Sequence, residues 1–411
     1  MNFETLLMCI IAYFGLFTAI FFITTVLENV PRLKNPPLKR LPTVTVVVPA
    51  YNEEKTISKT IRSLLKLNYP KNKLDIVVVD DGSTDKTYDV AKRFKAKNFK
   101  VYRKKNGGKA SALNFALKRC RTEFFGALDA DSFVKPGSLK KMLGYFDEYE
   151  DVMSVTPALK VWKPKKFFQK IQAVEYLLGI FLRKAFALLG GIHVTPGPFS
   201  IYRKEFFDKY GGYDEENLTE DIEVALRIQH KNYEIENSID AEVFTIAPAG
   251  FMPLFRQRLR WYIGFLNNVW RYKSLFNLRN NLGIFVLPIA FISVGLVILT
   301  MAYTLYRFFS MSFLFLSNLF AIDFDILKML NFRPDLFFFN FDGLTILMWS
   351  AVALGILIVI SAKKFSKEKT KIKYLYVCYM LLYWLLFGLW WSVAFTYKLI
   401  RKKIKWGNKY G

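Results

Sequence analysis

The sequence predicts an α/β domain on a mostly parallel sheet, inserted between transmembrane helices. Two patterns predict it. Between residues 44 and 128, short β-branched or aromatic runs alternate with helix-patterned stretches, and the runs stop near acidic residues. On either side of the middle of the chain lie apolar stretches too long for core helices.

The elements follow in order. Residues 6–27 carry no charge and are long enough to cross a hydrocarbon core of roughly 30 Å. No basic n-region precedes them, and no small-residue cleavage site follows Thr25-Val26-Leu27-Glu28, so the segment reads as a retained anchor. Residues 31–42 are a Pro/Lys-rich linker. Val44-Thr45-Val46-Val47-Val48 is a strand ending at Pro49, and Ile76-Val77-Val78-Val79 is another ending at Asp80. Between them, Ile57, Ile61, Leu64 and Leu65 have helical spacing. Phe124-Phe125-Gly126-Ala127-Leu128 is a third strand, ending at Asp129. Continuous apolar strands joined through helices imply a buried parallel sheet, which binds ligands beyond its carboxyl edge.

Two later segments are amphipathic. In 167–189 the stripe is Phe167, Ile171, Val174, Leu178, Phe181, Ala185 and Leu188; in 253–273 it is Phe255, Leu259, Tyr262, Leu266 and Val269. Both are expected to lie at the membrane interface and dock the soluble domain, the plainer reading being helices packed on the sheet. Uncharged stretches at 280–306, 343–362 and 374–397 supply about three further membrane helices. The expected division is an anchor at 1–30, a soluble domain at 31–280 and a membrane domain at 281–411.

The net charge of +25 concentrates in part at the membrane ends: Arg32, Lys34, Lys39 and Arg40, then the lysines of 363–373, then Arg401, Lys402, Lys403 and Lys405. Such bases attract anionic membrane lipid and set orientation. No nucleic-acid motif accompanies the charge, which argues against a nucleic-acid partner. Cys9, Cys120 and Cys378 offer no disulfide framework and no metal spacing.

The chemistry lies at the strand ends. Ala50-Tyr51-Asn52-Glu53 and Asp80-Asp81-Gly82-Ser83 close neighbouring strands, where a carboxylate can accept hydrogen bonds from a ribose or base edge. Asp-Gly-Ser alone is also ordinary turn chemistry. Asp129-Ala130-Asp131 follows an apolar strand; if extended, it points two hard carboxylates the same way, suiting Mg²⁺ or Mn²⁺ on a diphosphate. Asn106-Gly107-Gly108-Lys109 opens a helix, with glycines that permit close backbone approach and a lysine that can meet a phosphate. Thr219-Glu220-Asp221 precedes a helical stretch; it is a cap, and its aspartate can also deprotonate an attacking hydroxyl. In Gln257-Arg258-Leu259-Arg260-Trp261, the residues at 257, 260 and 261 share one helix face. That face presents an amide, a guanidinium able to neutralise a departing diphosphate and an indole able to stack on a sugar ring. Arg and Trp on such a helix also serve as interfacial anchors.

The ordered set DDGSTD, DAD, TED and QRLRW resembles the processive family-2 glycosyltransferases, which include the cellulose, chitin, hyaluronan and poly-N-acetylglucosamine synthases. In length and layout the chain looks most like the bacterial poly-β-1,6-N-acetylglucosamine synthases. The stretch Gly197-Pro198-Phe199-Ser200-Ile201-Tyr202-Arg203 is similar to the acceptor-side loop of hyaluronan-type enzymes.

The resemblance implies a GT-A fold and an inverting, metal-dependent transfer from a UDP-sugar, foremost UDP-N-acetylglucosamine, to a growing β-linked polysaccharide. The runner-up acceptor is a lipid carrier. It implies that Ala50, Tyr51, Glu53 and Asp81 bind the nucleotide and that Lys109 contacts the donor. Asp129 and Asp131 hold Mg²⁺ or Mn²⁺ at the diphosphate. Asp221 is the general base. Gln257 and Arg260 border the diphosphate, while Trp261, Glu220 and Gly197 border the acceptor. Four spans are few for a polymer channel, which implies a small membrane subunit or a second copy.

A UDP-sugar requires a cytoplasmic catalytic domain in the cell membrane, and the bases after the first span agree. Four full crossings place the bases at 401–405 outside, against the positive-inside rule. Four crossings with an outside tail are the expectation. The two escapes are a re-entrant pairing of 308–322 with 336–340, or a last segment that does not cross.

Overall fold

The computed structural model describes residues 3–277, 280–321, 343–368 and 373–402. Eight strands form one sheet: β1 (Val44–Ala50), β2 (Leu74–Asp80), β3 (Phe99–Arg103), β4 (Phe124–Ala127), β5 (Ser132–Val134), β6 (Val152–Val161), β7 (Ser200–Arg203) and β8 (Glu234–Thr245). Their order is β3-β2-β1-β4-β7-β6-β8-β5. The first half, β3-β2-β1-β4, is parallel as expected. Beyond it β7 runs antiparallel to both β4 and β6, and β5 antiparallel to β8, while β6 and β8 pair in parallel. β1 does not stop at Pro49, which continues the ladder to Ala50 opposite Asp80.

Helices cover both faces. On one, α2 (Ile57–Leu65), α3 (Thr87–Lys92) and α5 (Ser138–Glu148) pack on Val44, Val46, Val48, Ile76 and Val78. On the other, α4 (Lys109–Leu117), α7 (Lys204–Tyr210) and α8 (Glu220–His230) pack on Val47, Val77, Val79 and Phe125. Both faces are dry, which is why β1 is buried along its whole length rather than alternating. The linker before β1 is anchored: backbone N–H groups of Lys39 and Arg40 donate to Asp147 of α5.

The membrane side holds α1 (Phe3–Glu28), α6 (Phe167–Leu188), α9 (Phe251–Arg271), α10 (Leu287–Ala321), α11 (Gly343–Phe365) and α12 (Lys373–Leu399). Among the described residues four helices are long and apolar enough to cross a membrane: α1, α10 with its π-helical start at Leu282–Val286, α11 and α12. Residues 308–321 continue α10 as one helix rather than forming a separate element; 322 and 336–340 lie outside the described residues. Arg307 pairs with Glu4 at 2.7 Å and Phe21 stacks on Phe285 at 5.3 Å, so α1 and α10 run antiparallel. At the opposite ends of α1 and α11, Arg32 pairs with Glu236 of β8 at 2.8 Å, and Lys367 with Asp240 at 3.3 Å.

α12 packs on α6 and α9 along its length. Leu375 packs on Val174 and Leu177 of α6, while Tyr383 and Trp390 pack on Ile171 and Leu254. Ala394 packs on Leu259 and Ile263 of α9, and Lys398 Nζ donates to Asn267 Oδ1. The two amphipathic segments are thus α6 and α9. α9 begins before Pro253, whose missing N–H costs nothing in a first turn.

Candidate active site

The parallel half of the sheet delivers its carboxyl ends to one edge. After β1, Asn52 adopts φ 53°, a conformation Asn tolerates, and its Oδ1 accepts from Thr84 N at 2.9 Å. Glu53 N donates to Thr87 Oγ1 at 2.7 Å, and Glu53 Oε2 accepts from Thr56 Oγ1 at 2.7 Å. The bonds to Thr84 and Thr87 tie the Tyr51–Glu53 turn to the segment after β2. Gly82 is required there: it sits at φ +74°, and a Cβ would meet Asn106 N at 2.8 Å.

Asp81, expected at the nucleotide, is engaged with its own fold. Its carboxylate accepts from Lys104 Nζ at 2.8 Å, Gly107 N at 3.1 Å and Gly108 N at 2.7 Å. The backbone amides of Gly107 and Gly108 therefore point at Asp81. Asp80 is fully buried beside Arg103 at 3.2 Å.

Asp129-Ala130-Asp131 is a turn, not the extended segment assumed from the sequence: Ser132 N donates back to Asp129 O at 3.0 Å. The outcome for the two acids is similar, because Ala130 is buried while both aspartates remain partly open. Among the described residues no three His, Cys, Asp or Glu side chains form a metal cluster. One or two carboxylates fit a hard ion that takes its other ligands from phosphate and water, as Mg²⁺ and Mn²⁺ do.

Lys109, the first residue of α4, links two motifs. Its Nζ lies 2.7 Å from Asp129 Oδ1 and 2.8 Å from Glu220 Oε1. Burial alone would lower its pKa, but the carboxylates of Asp129, Glu220 and Asp221 outweigh burial and raise it, so it stays charged. Gly197 closes over this pair; a Cβ there would collide with Lys109 Nζ and lie 3.0 Å from both Asp129 oxygens.

Asp221 is the second residue of α8. Its side chain accepts from Ile222 N at 3.0 Å, and its carbonyl from Thr195 Oγ1 at 2.8 Å. A helix N-terminus would ordinarily favour the carboxylate. Burial, with the neighbouring Glu220, instead pushes its pKa up to about 6, against the opposing pull of Lys109 and Arg260.

Within Gln257–Trp261 the residues do different work. Arg260 Nη1 donates to Leu218 O at 3.2 Å, beside the Asp221 turn. Gln257 Oε1 is buried without a hydrogen-bond partner among the described residues. Trp261 is half-buried with the Arg258 guanidinium 4.3 Å from its ring centroid. The sequence reading passed over Arg258, which is 3% exposed and pairs with Glu175 of α6 at 2.7 Å. That ion pair joins the two amphipathic helices. The available signal was an arginine placed off the 257/260/261 face and an acid, Glu175, within the other amphipathic segment.

Residues 45–211 match the family model described as Glycosyl transferase family 2. The segment is thus similar in sequence to the family-2 glycosyltransferases. The chain is 30% identical over 225 residues to poly-beta-1,6-N-acetyl-D-glucosamine synthase of Staphylococcus epidermidis, covering 54% of each chain. The Staphylococcus aureus (strain COL) protein of that name is 29% identical over 225 residues, again 54% of each chain. The aligned region spans about half the length of these curated relatives. A Pyrobaculum calidifontis mannosyltransferase, solved in complex with GDP-Man and Mn2+, superposes with TM-score 0.57 at 19% identity. That match covers 96% of this chain and 100% of the other, a likeness of fold. The fold is therefore a GT-A α/β domain, and with its apolar helices the chain is membrane-bound.

Proposed function

We propose that the chain transfers a sugar from a UDP-sugar to a growing β-linked polysaccharide at the cytoplasmic face of the cell membrane, with inversion at the anomeric carbon. The carrying observation is the cluster in which Lys109 bridges Asp129 and Glu220 next to Asp221. It sets a carboxylate of raised basicity against the acidic pair suited to a metal-diphosphate. UDP-N-acetylglucosamine is the donor favoured by the 30% identity to the poly-N-acetylglucosamine synthases.

Asp221 accepts the proton of the acceptor hydroxyl. The hydroxyl oxygen attacks the anomeric carbon from the side opposite the nucleotide, and the bonding pair of the carbon–oxygen bond leaves with the diphosphate. Attack from that side inverts the carbon, so a donor whose sugar is α-linked to the nucleotide gives a β-linkage. Arg260 and Lys109 offset the charge that develops on the leaving group. Asp129 and Asp131 would hold Mg²⁺ or Mn²⁺, which when bound neutralises diphosphate charge. Tyr51 and Glu53 border the nucleotide and Trp261 the acceptor ring.

α12 is proposed to lie along the membrane face rather than cross it. A helix that crosses has its ends on opposite sides of a core roughly 30 Å thick. Leu375 and Lys398, near the ends of α12, instead meet α6 and α9 of one domain. Arg401 and Lys402 then share the side of Lys363 and Lys364, in keeping with the positive-inside rule.

The test is incorporation of radiolabelled UDP-N-acetylglucosamine by the full chain in membranes, with products sized on a gel and GDP-mannose and other UDP-sugars as rival donors. A ladder of long products supports the proposal. A single short glycolipid reassigns the acceptor to a lipid carrier. Transfer from GDP-mannose alone overturns the donor, and no transfer from any donor refutes the activity.

A further inference from the structure

We infer that Asn268 is a positioning residue that clamps the turn carrying Asp221 onto α9; this rests on the reading of Asp221 as the base. Asn268 is 1% exposed, two turns beyond Arg260. Its Nδ2 donates to Asn217 Oδ1 at 3.1 Å, Thr219 Oγ1 at 3.0 Å and Thr219 O at 3.4 Å. Its Oδ1 accepts from Asn217 Nδ2 at 2.7 Å. The two asparagines form a reciprocal amide pair, and Asn217 Oδ1 also takes Thr219 N at 3.1 Å.

The rest of that α9 face makes the same contact. Arg260, Gly264 and Asn268 recur at intervals of four, one above another on a helix. Arg260 holds Leu218 O, and Gly264 lies so close to Thr219 that any Cβ would overlap it. Residues 217–219 are thus gripped at three successive levels.

The threonine shows what the grip is for. Thr219 occupies the N-cap of α8, where a hydroxyl ordinarily accepts an N–H of its own helix. Here its side chain makes no capping bond and accepts from Asn268 instead. The cap residue ties its helix to α9, and Asp221 lies two residues further on. α9 also carries Arg260 and Trp261, so the clamp sets the distance between base and leaving-group residues. Small displacements at this distance are costly, a shift of about 1 Å being able to cost on the order of 100-fold in rate.

The experiment uses the full chain in nanodiscs with variants Asn268→Ala, Asn217→Ala, the double variant and Asn98→Ala. Asn98 is buried at the far edge of the sheet, where it donates to Leu74 O at 2.9 Å. It is the control for loss of a buried amide bond. Asn268→Ala is expected to lower kcat roughly 10- to 100-fold with donor KM held within about twofold. The double variant should be no slower than Asn268→Ala alone, because both remove one coupled unit. Asn98→Ala should lower Tm comparably and leave kcat unchanged. Equal kcat in Asn268→Ala and Asn98→Ala, or multiplicative losses in the double variant, overturns the clamp. If the wild type releases UDP from no donor, the functional reading fails by itself. The clamp then stands or falls on amide exchange at residues 220–223: faster in Asn268→Ala than in Asn98→Ala supports it, and equal rates overturn it.

Discussion

Asp221→Asn is the most direct test of the chemistry. The amide keeps the size of the side chain and can still accept from Ile222 N, so the start of α8 is preserved. It cannot take a proton. Loss of one general base costs roughly 10²–10⁴ in rate, or about 2.7–5.5 kcal/mol in activation free energy. Donor affinity, measured by calorimetry, should be unchanged. The wild-type pH profile makes the same point independently. A carboxyl pushed up to about 6 by burial and Glu220 must lose its proton to act, so turnover should rise with pH through about 6. At pH 5 such a group is only about 9% ionised, whereas one at the ordinary 3.8 would be about 94% ionised. Glu220→Gln removes a neighbouring negative charge and should move that acid limb downward. UDP release, measured from pH 4.5 to 8, reads both effects. Near-normal turnover in Asp221→Asn, or a wild-type rate already level between pH 5 and 8, would refute the assignment.

Three further outcomes are expected. Asp131→Ala should abolish Mn²⁺-dependent UDP-sugar binding by calorimetry, because only one carboxylate of the pair remains; unchanged metal dependence would reduce the motif to a turn. Trp261→Ala should slow polymer elongation more than donor hydrolysis, and equal loss of both would move the indole out of the acceptor site. Single cysteines at Lys367 and Arg401, both exposed, in a background lacking Cys9, Cys120 and Cys378, should react from the catalytic-domain side alone. Labelling of position 401 from the opposite side would restore a crossing α12. Ser366 is unsuited to this test because it is 2% exposed and its carbonyl accepts from Lys160.

Much of the architecture was legible because it depends on local pattern. β1, β2, β4, α6 and α9 lie within a few residues of their predicted positions, since continuous apolar runs and three-four spacing are properties of short windows. The antiparallel courses of β7 and β5 were not legible, because strand direction depends on where distant segments return. The site divided in the same way. Residue types and motif order nominated Asp129, Lys109, Glu220 and Asp221, and the fold brings them together. The sequence did not reveal that Asp81 would be consumed by Gly107 and Gly108. Nor did it reveal the Arg258–Glu175 pair, or that Thr219 would spend its hydroxyl on Asn268.

By itself the sequence determined the α/β class, the amphipathic and membrane helices and the chemical menu of the site, because hydrophobic period and side-chain chemistry are written residue by residue. Only the tertiary structure decided which charges meet, how basic Asp221 becomes and which helices α12 packs on. Those depend on distances of a few ångströms between residues far apart in the chain, and on the water excluded when they pack.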